Sequence, residues 1–240
     1  MKRSERHHLK ENTFASWMAD VTAAMAERGR AVGFVAVAVL LAVVAAGAYA
    51  YWRSQEAARA DARLTDALAT SEAPVVPPAA DTQPQPGTFS TETARLDAAL
   101  PKFLAVGEEH PGSRAAIPAR YHAANTLAAL GRHAEAEEHY RGVMRADSSG
   151  IYGSMAELGL AQSLAAAGRY DEAIALFQRL STAANTRLPV DGILMQLART
   201  YHAAGRPAEA VQAYQRIIDE FPQSPYGSDA RQAIGQIGQS

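Results

Sequence analysis

Hydrophobic positions along this chain follow two regimes. From Ala31 to Trp52 no residue is charged and nearly all are apolar, whereas from Thr91 onward apolar residues recur at three- and four-residue spacing between polar breaks. The second regime predicts a succession of amphipathic helices. Leu160, Ala161 and Leu164 run up to Gly168, and Leu194, Leu197, Ala198 and Tyr201 run up to Gly205. Each run ends on the residue that best tolerates a left-handed stop. A second helix follows each glycine directly, and Pro207 opens one of them in the first turn, where its missing N–H is harmless.

These stops repeat in register. Gly131-Arg132 leads to Glu135-Ala136, Gly168-Arg169 to Glu172-Ala173, and Gly205-Arg206 to Glu209-Ala210, with the glycines 37 residues apart. Four residues after each alanine stands an aromatic: Tyr140, Phe177 and Tyr214. The alanine is the small residue needed where two helices cross, and the aromatic one turn later fills the gap to the next hairpin. Stepping back one period reaches Ala99 and Phe103, so a half-repeat helix over about 92–109 opens the array. Pro101 is expected to kink or break that helix. His110-Pro111-Gly112-Ser113 and Phe221-Pro222-Gln223-Ser224 lie three periods apart, which predicts a closing helix near 225–237. The fold class is all-α: a solenoid of helical hairpins that bury their faces by stacking.

The G-R-x-x-E-A frames with their aromatics resemble the tetratricopeptide repeat (TPR) family over roughly 91–240, with a period of 37 residues here against the usual ~34. The resemblance implies a concave surface lined by the first helices of successive hairpins. Mapped by register, that surface holds Tyr121 and Asn125, then Met155, Leu158 and Gln162, then Met195, Arg199 and His202. Aromatic, thioether and hydrogen-bonding groups in that order suit an extended peptide or a partner's helix. A lysine-based carboxylate clamp is not evident, because the only lysine from 91 onward is Lys102.

The apolar run Ala31–Trp52 has 22 residues, or ~33 Å of helix, enough for a ~30 Å hydrocarbon core. Tyr49, Tyr51 and Trp52 cluster at one end, as at a headgroup boundary. A cleaved signal peptide ending at Ala48-Tyr49-Ala50 is the rival reading. The run exceeds the usual ~7–15 residues of such a segment, which favours an uncleaved signal anchor. Lys2, Arg3, Arg6, Lys10, Arg28 and Arg30 precede it and Arg53, Arg59 and Arg63 follow, which puts the N-terminus in the cytoplasm. Arg-rich, Ala-rich usage points to a bacterial inner membrane with the repeats in the periplasm.

Five segments follow: a cytoplasmic stretch 1–30, the transmembrane helix 31–52, a helical extension 53–72, a Pro-rich linker 73–90 and the repeats 91–240. Within the first, Phe14, Trp17, Met18, Val21 and Met25 recur at helical spacing and predict an interfacial or partner-binding helix.

Chemistry is sparse. From Thr91 onward 14 Arg and Lys face 16 Asp and Glu, so no basic face favours nucleic acid. The chain has no cysteine, which excludes disulfides, thiol catalysis and a lipid-modified N-terminal cysteine. Phosphate loops, H-E-x-x-H and G-x-S-x-G are missing, and no cofactor, metal or small-molecule substrate is expected. Glu135, Glu172 and Glu209 are first-turn helix charges. Tyr121-His122-Ala123-Ala124 and Tyr201-His202-Ala203-Ala204 are 80 residues apart, out of register with the repeat.

Trp17, Arg28-Gly29-Arg30, Gly47, Tyr51-Trp52-Arg53 and the repeats together resemble the layout of the YfgM-type ancillary Sec-translocon subunits, apart from the Pro-rich linker. That resemblance implies a non-enzymatic adaptor whose partners are translocon components or periplasmic chaperones. An envelope-assembly or cell-division scaffold, and a cytosol-facing membrane-tethered regulator, are the alternatives.

Overall fold

Our computed structural model describes residues 19–20, 29–77, 86–183 and 187–239. The expected amphipathic helix around 14–25 and the middle of the Pro-rich linker lie outside the described residues, apart from 19–20. Nine longer helices occur among the described residues: α1 (Gly29–Ser71), α2 (Glu92–Glu109), α3 (Ala116–Ala129), α4 (His133–Ala146), α5 (Ile151–Ala166), α6 (Tyr170–Thr182), α7 (Val190–Ala203), α8 (Pro207–Glu220) and α9 (Gly227–Ile237). The chain divides into two units inside α1, after Gln55.

In the first unit, the described part of α1 is apolar and exposed on every side, as Phe34, Leu40, Val44 and Tyr51 illustrate. With a mean hydropathy of 2.3 in its most apolar stretch, α1 is long and apolar enough to cross a membrane.

The second unit is a solenoid. The pairs α3/α4, α5/α6 and α7/α8 are hairpins, and each first helix also touches the next one along: α3 meets α5, and α5 meets α7. One core runs through all of them, from Ala99 and Phe103 to Ile217 and Ala230. Each hairpin turns on the expected glycine, with φ of 75° at Gly131, 77° at Gly168 and 72° at Gly205. In each, the residue after glycine donates its N–H back to the last turn: Arg132 to Leu127, Arg169 to Leu164 and Arg206 to Tyr201, all at 2.9 Å. Glycine itself donates to Ala128, Ala165 or His202 at 3.0 Å, completing a Schellman motif three times over.

Ala136, Ala173 and Ala210 are wholly buried, and Tyr140, Phe177 and Tyr214 sit in the core beside them. Tyr140 packs so close to α5 that a Cβ on Gly159 would meet its ring at 2.6 Å, so this position has to stay glycine. The arginine and glutamate of each frame clasp one another. Arg132 grips both oxygens of Glu135 at 2.7 and 2.6 Å, and Arg169 grips Glu172 at the same distances. Arg169 also reaches Glu137 of the preceding hairpin at 2.5 Å, and Arg206 lies 3.6 Å from Asp171. The frame's charges thus link neighbouring repeats as well as starting each second helix.

Two expectations need correction. Pro101 does not break its helix, since α2 is continuous from Glu92 to Glu109. Leu100 and Phe103 on either side are locked in the core, and that packing outweighs the lost backbone bond. The extension 53–72 does not simply continue into water either. From Glu56 onward it lies antiparallel to α2, burying Ala60 and Ala67 with Leu64 and Leu68 half-buried. Asp66 meets Lys102 at 2.7 Å, Glu56 meets His110 at 3.1 Å, and Arg63 pairs with Glu109. The linker's ends also meet: the Val76 N–H donates to the Phe89 carbonyl at 2.8 Å, and the Phe89 N–H to that of Pro74 at 3.0 Å. Residues 73–90 therefore return on themselves instead of holding two elements apart.

Candidate partner-binding groove

The first helices α3, α5 and α7 present one residue of each type at matching register positions. Tyr121, Leu158 and Met195 are one period apart, as are Asn125, Gln162 and Arg199. Because α3 touches α5 and α5 touches α7, these rows run along one face of the array.

At the α3 end the face is aromatic. The Tyr121 ring lies edge-on to Tyr152 at 5.7 Å and 6.4 Å from Tyr140. Asn125 is already engaged, since its Oδ1 accepts the Tyr140 hydroxyl at 2.6 Å. Burial, with a smaller contribution from Tyr121, raises the Tyr140 pKa far above the usual phenol value, so this hydroxyl stays a donor. His122 turns away from the row to stack on Phe103 at 5.3 Å. Burial lowers its pKa below 6.5, with Glu72 opposing, and the ring is held neutral.

In the middle, Met155 and Leu158 are half-exposed and Gln162 is exposed. Between α5 and α7 opens a recess of about 440 Å³, with Phe177 and Tyr170 among its lining residues and Gln162, Gln196 and Arg199 as its polar groups. His202, half a turn beyond, is exposed but does not line it. Met195 differs from its expected place: it is 2% exposed and belongs to the core. The reason lies in the turn after α8. Ser224 donates to Asp191 at 2.7 Å, and the Tyr226 ring lies 3.6 Å from where a Cβ of Gly192 would stand, which covers the first turn of α7.

Of the eight register-derived residues, the structure brings Gln162 and Arg199 together on one recess and Tyr121 and Asn125 together around Tyr140. Tyr152, Tyr170 and Gln196 are neighbours that the register did not single out. Tyr152 and Gln196 stand three residues from Met155 and Arg199, a spacing that could have flagged them.

Two other recesses are less open chemically. One of about 490 Å³ lies among α6, α7 and α8, but its arginines, Arg179 and Arg216, are already paired with Glu157 and Glu220. Another of about 400 Å³, at the first hairpin turn, contains Arg132 and Arg169 in their clasps, with His133 and Ser163 bonded to each other at 3.0 Å. Among the described residues no group of His, Asp and Glu could hold a metal ion.

A family model described as "Tetratricopeptide repeat" matches residues 121–187 and again 158–225, two windows offset by one period. The fold is also similar to that of solved structures of a Podosopora anserina putative kinesin light chain with nearly identical TPR-like repeats. That chain and a single-residue variant of it each show 18% identity and a TM-score of 0.52, over 60% of this chain and 78% of theirs. A thermophilic TPR protein of Thermus thermophilus shows 20% identity over 61% of this chain and 92% of its own, at a TM-score of 0.34 that bears no weight here. No curated protein sequence matches the chain. The hairpins are tetratricopeptide repeats.

Proposed function

From these repeats we propose a membrane-anchored adaptor that holds segments of protein partners along the face formed by α3, α5 and α7. The observation that carries this reading is the face itself. Successive first helices offer half-exposed Tyr121, Met155 and Leu158 beside the polar Gln162 and Arg199, with no catalytic grouping among them. Such a mixture of soft apolar contacts and hydrogen-bonding groups suits an extended chain or a helix.

The anchor is the apolar first half of α1, with Tyr49 and Trp52 6.1 Å apart near its end as an interfacial pair. The cation bias places the N-terminus in the cytoplasm and the repeats across the inner membrane, in the periplasm. The layout resembles the YfgM-type translocon subunits, so translocon components and periplasmic chaperones are the partners to test first.

Topology is tested by protease treatment of intact spheroplasts carrying the full chain. Digestion of the repeats from outside, leaving a membrane-bound N-terminal stub, is the expected result. Protection until the membrane is broken would place the repeats in the cytoplasm and remove the translocon reading.

A further inference from the structure

The repeat register shows a difference between its first and last copies that bears on what the groove accepts. In the first copy, Tyr140 on α4 donates its hydroxyl to Asn125 on α3 at 2.6 Å. Two periods later the same two positions are Tyr214 and Arg199. An asparagine can accept that proton; a guanidinium has five donors and no acceptor. In the middle copy the aromatic is Phe177 and the question does not arise.

The last copy therefore sets two donors side by side with nothing to receive them. No hydrogen bond among the described residues reaches the Tyr214 hydroxyl. Arg199 is exposed and makes no ion pair among the described residues. This contrasts with Arg132, Arg141, Arg169, Arg179, Arg206 and Arg216, each of which has a carboxylate within 4 Å. Arg199 is near enough to Tyr214 to oppose the rise that burial imposes on its hydroxyl. Beside the pair stand the side-chain amides of Gln162 and Gln196, on the rim of the α5–α7 recess. Donors outnumber acceptors here, and an unpaired cation in a recess favours an anion with several acceptor positions.

We infer that Arg199 and Tyr214, with Gln162, form a carboxylate-receiving subsite that selects an acidic side chain within an extended segment of a partner protein. The inference rests on the groove reading above and names the partner's chemistry at one of its positions. A side chain fits better than a chain end, because the recess is open and the half-exposed row Met155–Leu158 continues beside it, so a segment can run past. The segment would lay apolar residues towards Leu158 and Tyr121 and its Asp or Glu against Arg199.

The test uses the full chain in detergent and a pool of randomised short peptides with both ends capped. Enrichment on the wild-type protein should select Asp or Glu at one position within an apolar sequence. For an enriched peptide, Arg199→Gln should weaken binding about ten- to hundredfold, the range for losing a charge-assisted hydrogen-bond pair. Arg199→Lys should recover part of the loss, and Tyr214→Phe should produce a smaller one. Arg199 is exposed, so Arg199→Gln should leave the thermal midpoint unchanged, and that control separates a binding effect from a folding one. Peptides that bind without acidic preference, and equally to Arg199→Gln, would overturn the subsite and leave the groove standing. Binding that appears only when peptides keep a free C-terminal carboxylate would overturn the side-chain assignment. Absence of binding by any peptide would remove the groove reading and this inference with it.

Discussion

The first and second helices of each hairpin solve different problems. The second helices α4, α6 and α8 are one-sided: a single face carries Ala136 and Tyr140, or their counterparts, into the core, and the rest is polar and charged. The first helices α3 and α5 are apolar nearly all round. They bury Ala119, Ala123 and Leu127, or Ala156, Leu160 and Leu164, on one side, and turn Tyr121 or Met155 and Leu158 partly to the open face on the other. A helix in the inner layer of a solenoid touches its own partner and both neighbours, so little of its surface is left for charge. The lesson is a division of labour: second helices hold the array together, and the open faces of the first helices are free to bind. The first helix α7 departs from α3 and α5 by carrying Gln196, Arg199 and His202 outward, which makes its end of the face the polar one.

The largest test of that division is Phe177→Ala on α6, which removes a ring 1% exposed at the centre of the array. It should cost about 3–5 kcal/mol in denaturant unfolding, while Leu158→Ala on the open face of α5 should cost far less. Equal losses would erase the distinction. Ala173→Leu places a larger side chain at a hairpin crossing that has no exposure, and should cost about 1–3 kcal/mol by the same measurement. Gly168→Ala forces a Cβ into φ 77° with open space around it, so the loss of about 1–2 kcal/mol there is one of backbone strain alone.

The smallest effect is a pH dependence. The His122 pKa is lowered by burial, so the unfolded chain takes up this proton before the folded chain does. Its contribution is complete above pH 6.5 and is lost as the pH falls through that value towards the folded-state pKa. Hydrogen bonds from Arg132, Arg169 and Arg206 hold the carboxyls of Glu135, Glu172 and Glu209 below 4.5, so their contributions disappear only on further acidification. His122→Phe should keep a ring against Phe103 and flatten the fall in thermal midpoint between pH 6.5 and 4.5, leaving the more acidic fall in place. An unchanged slope in the variant would show that the histidine is not the titrating group.

Much of the array could be read from sequence because its signals are local. A left-handed stop needs glycine, a crossing needs alanine, and the gap beyond needs a ring. Those three demands repeat at 37 residues whatever the tertiary detail. The docked half of α1 was harder to read. Its seam is built on Ala57, Ala60, Leu64 and Ala67 at alternating three- and four-residue spacing, and alanine gives little hydrophobic contrast in an alanine-rich stretch. Its partner, α2, also lies beyond a proline-rich segment that looks like a separator until Val75 and Phe89 are seen to meet. The groove was legible only as positions. Register placed Met195 in the same row as Tyr121 and Leu158, but the turn carrying Ser224 and Tyr226 folds over the start of α7, a long-range contact that no repeat pattern contains. The clasp between Arg169 and Glu137 escaped notice because the two lie 32 residues apart, on neighbouring hairpins.

The division between the two layers is tested most directly by photocrosslinking in living cells. A crosslinking amino acid is placed in the full-length chain, one position at a time, at Leu158 and Gln162 on the inner layer and at Glu138 and Gln212 on the outer one. Our account predicts discrete protein adducts from Leu158 and Gln162, diminished by Arg199→Gln, and none from Glu138 or Gln212. Adducts that arise from the outer positions and spare the inner ones would contradict it, and would move the binding surface to the second helices.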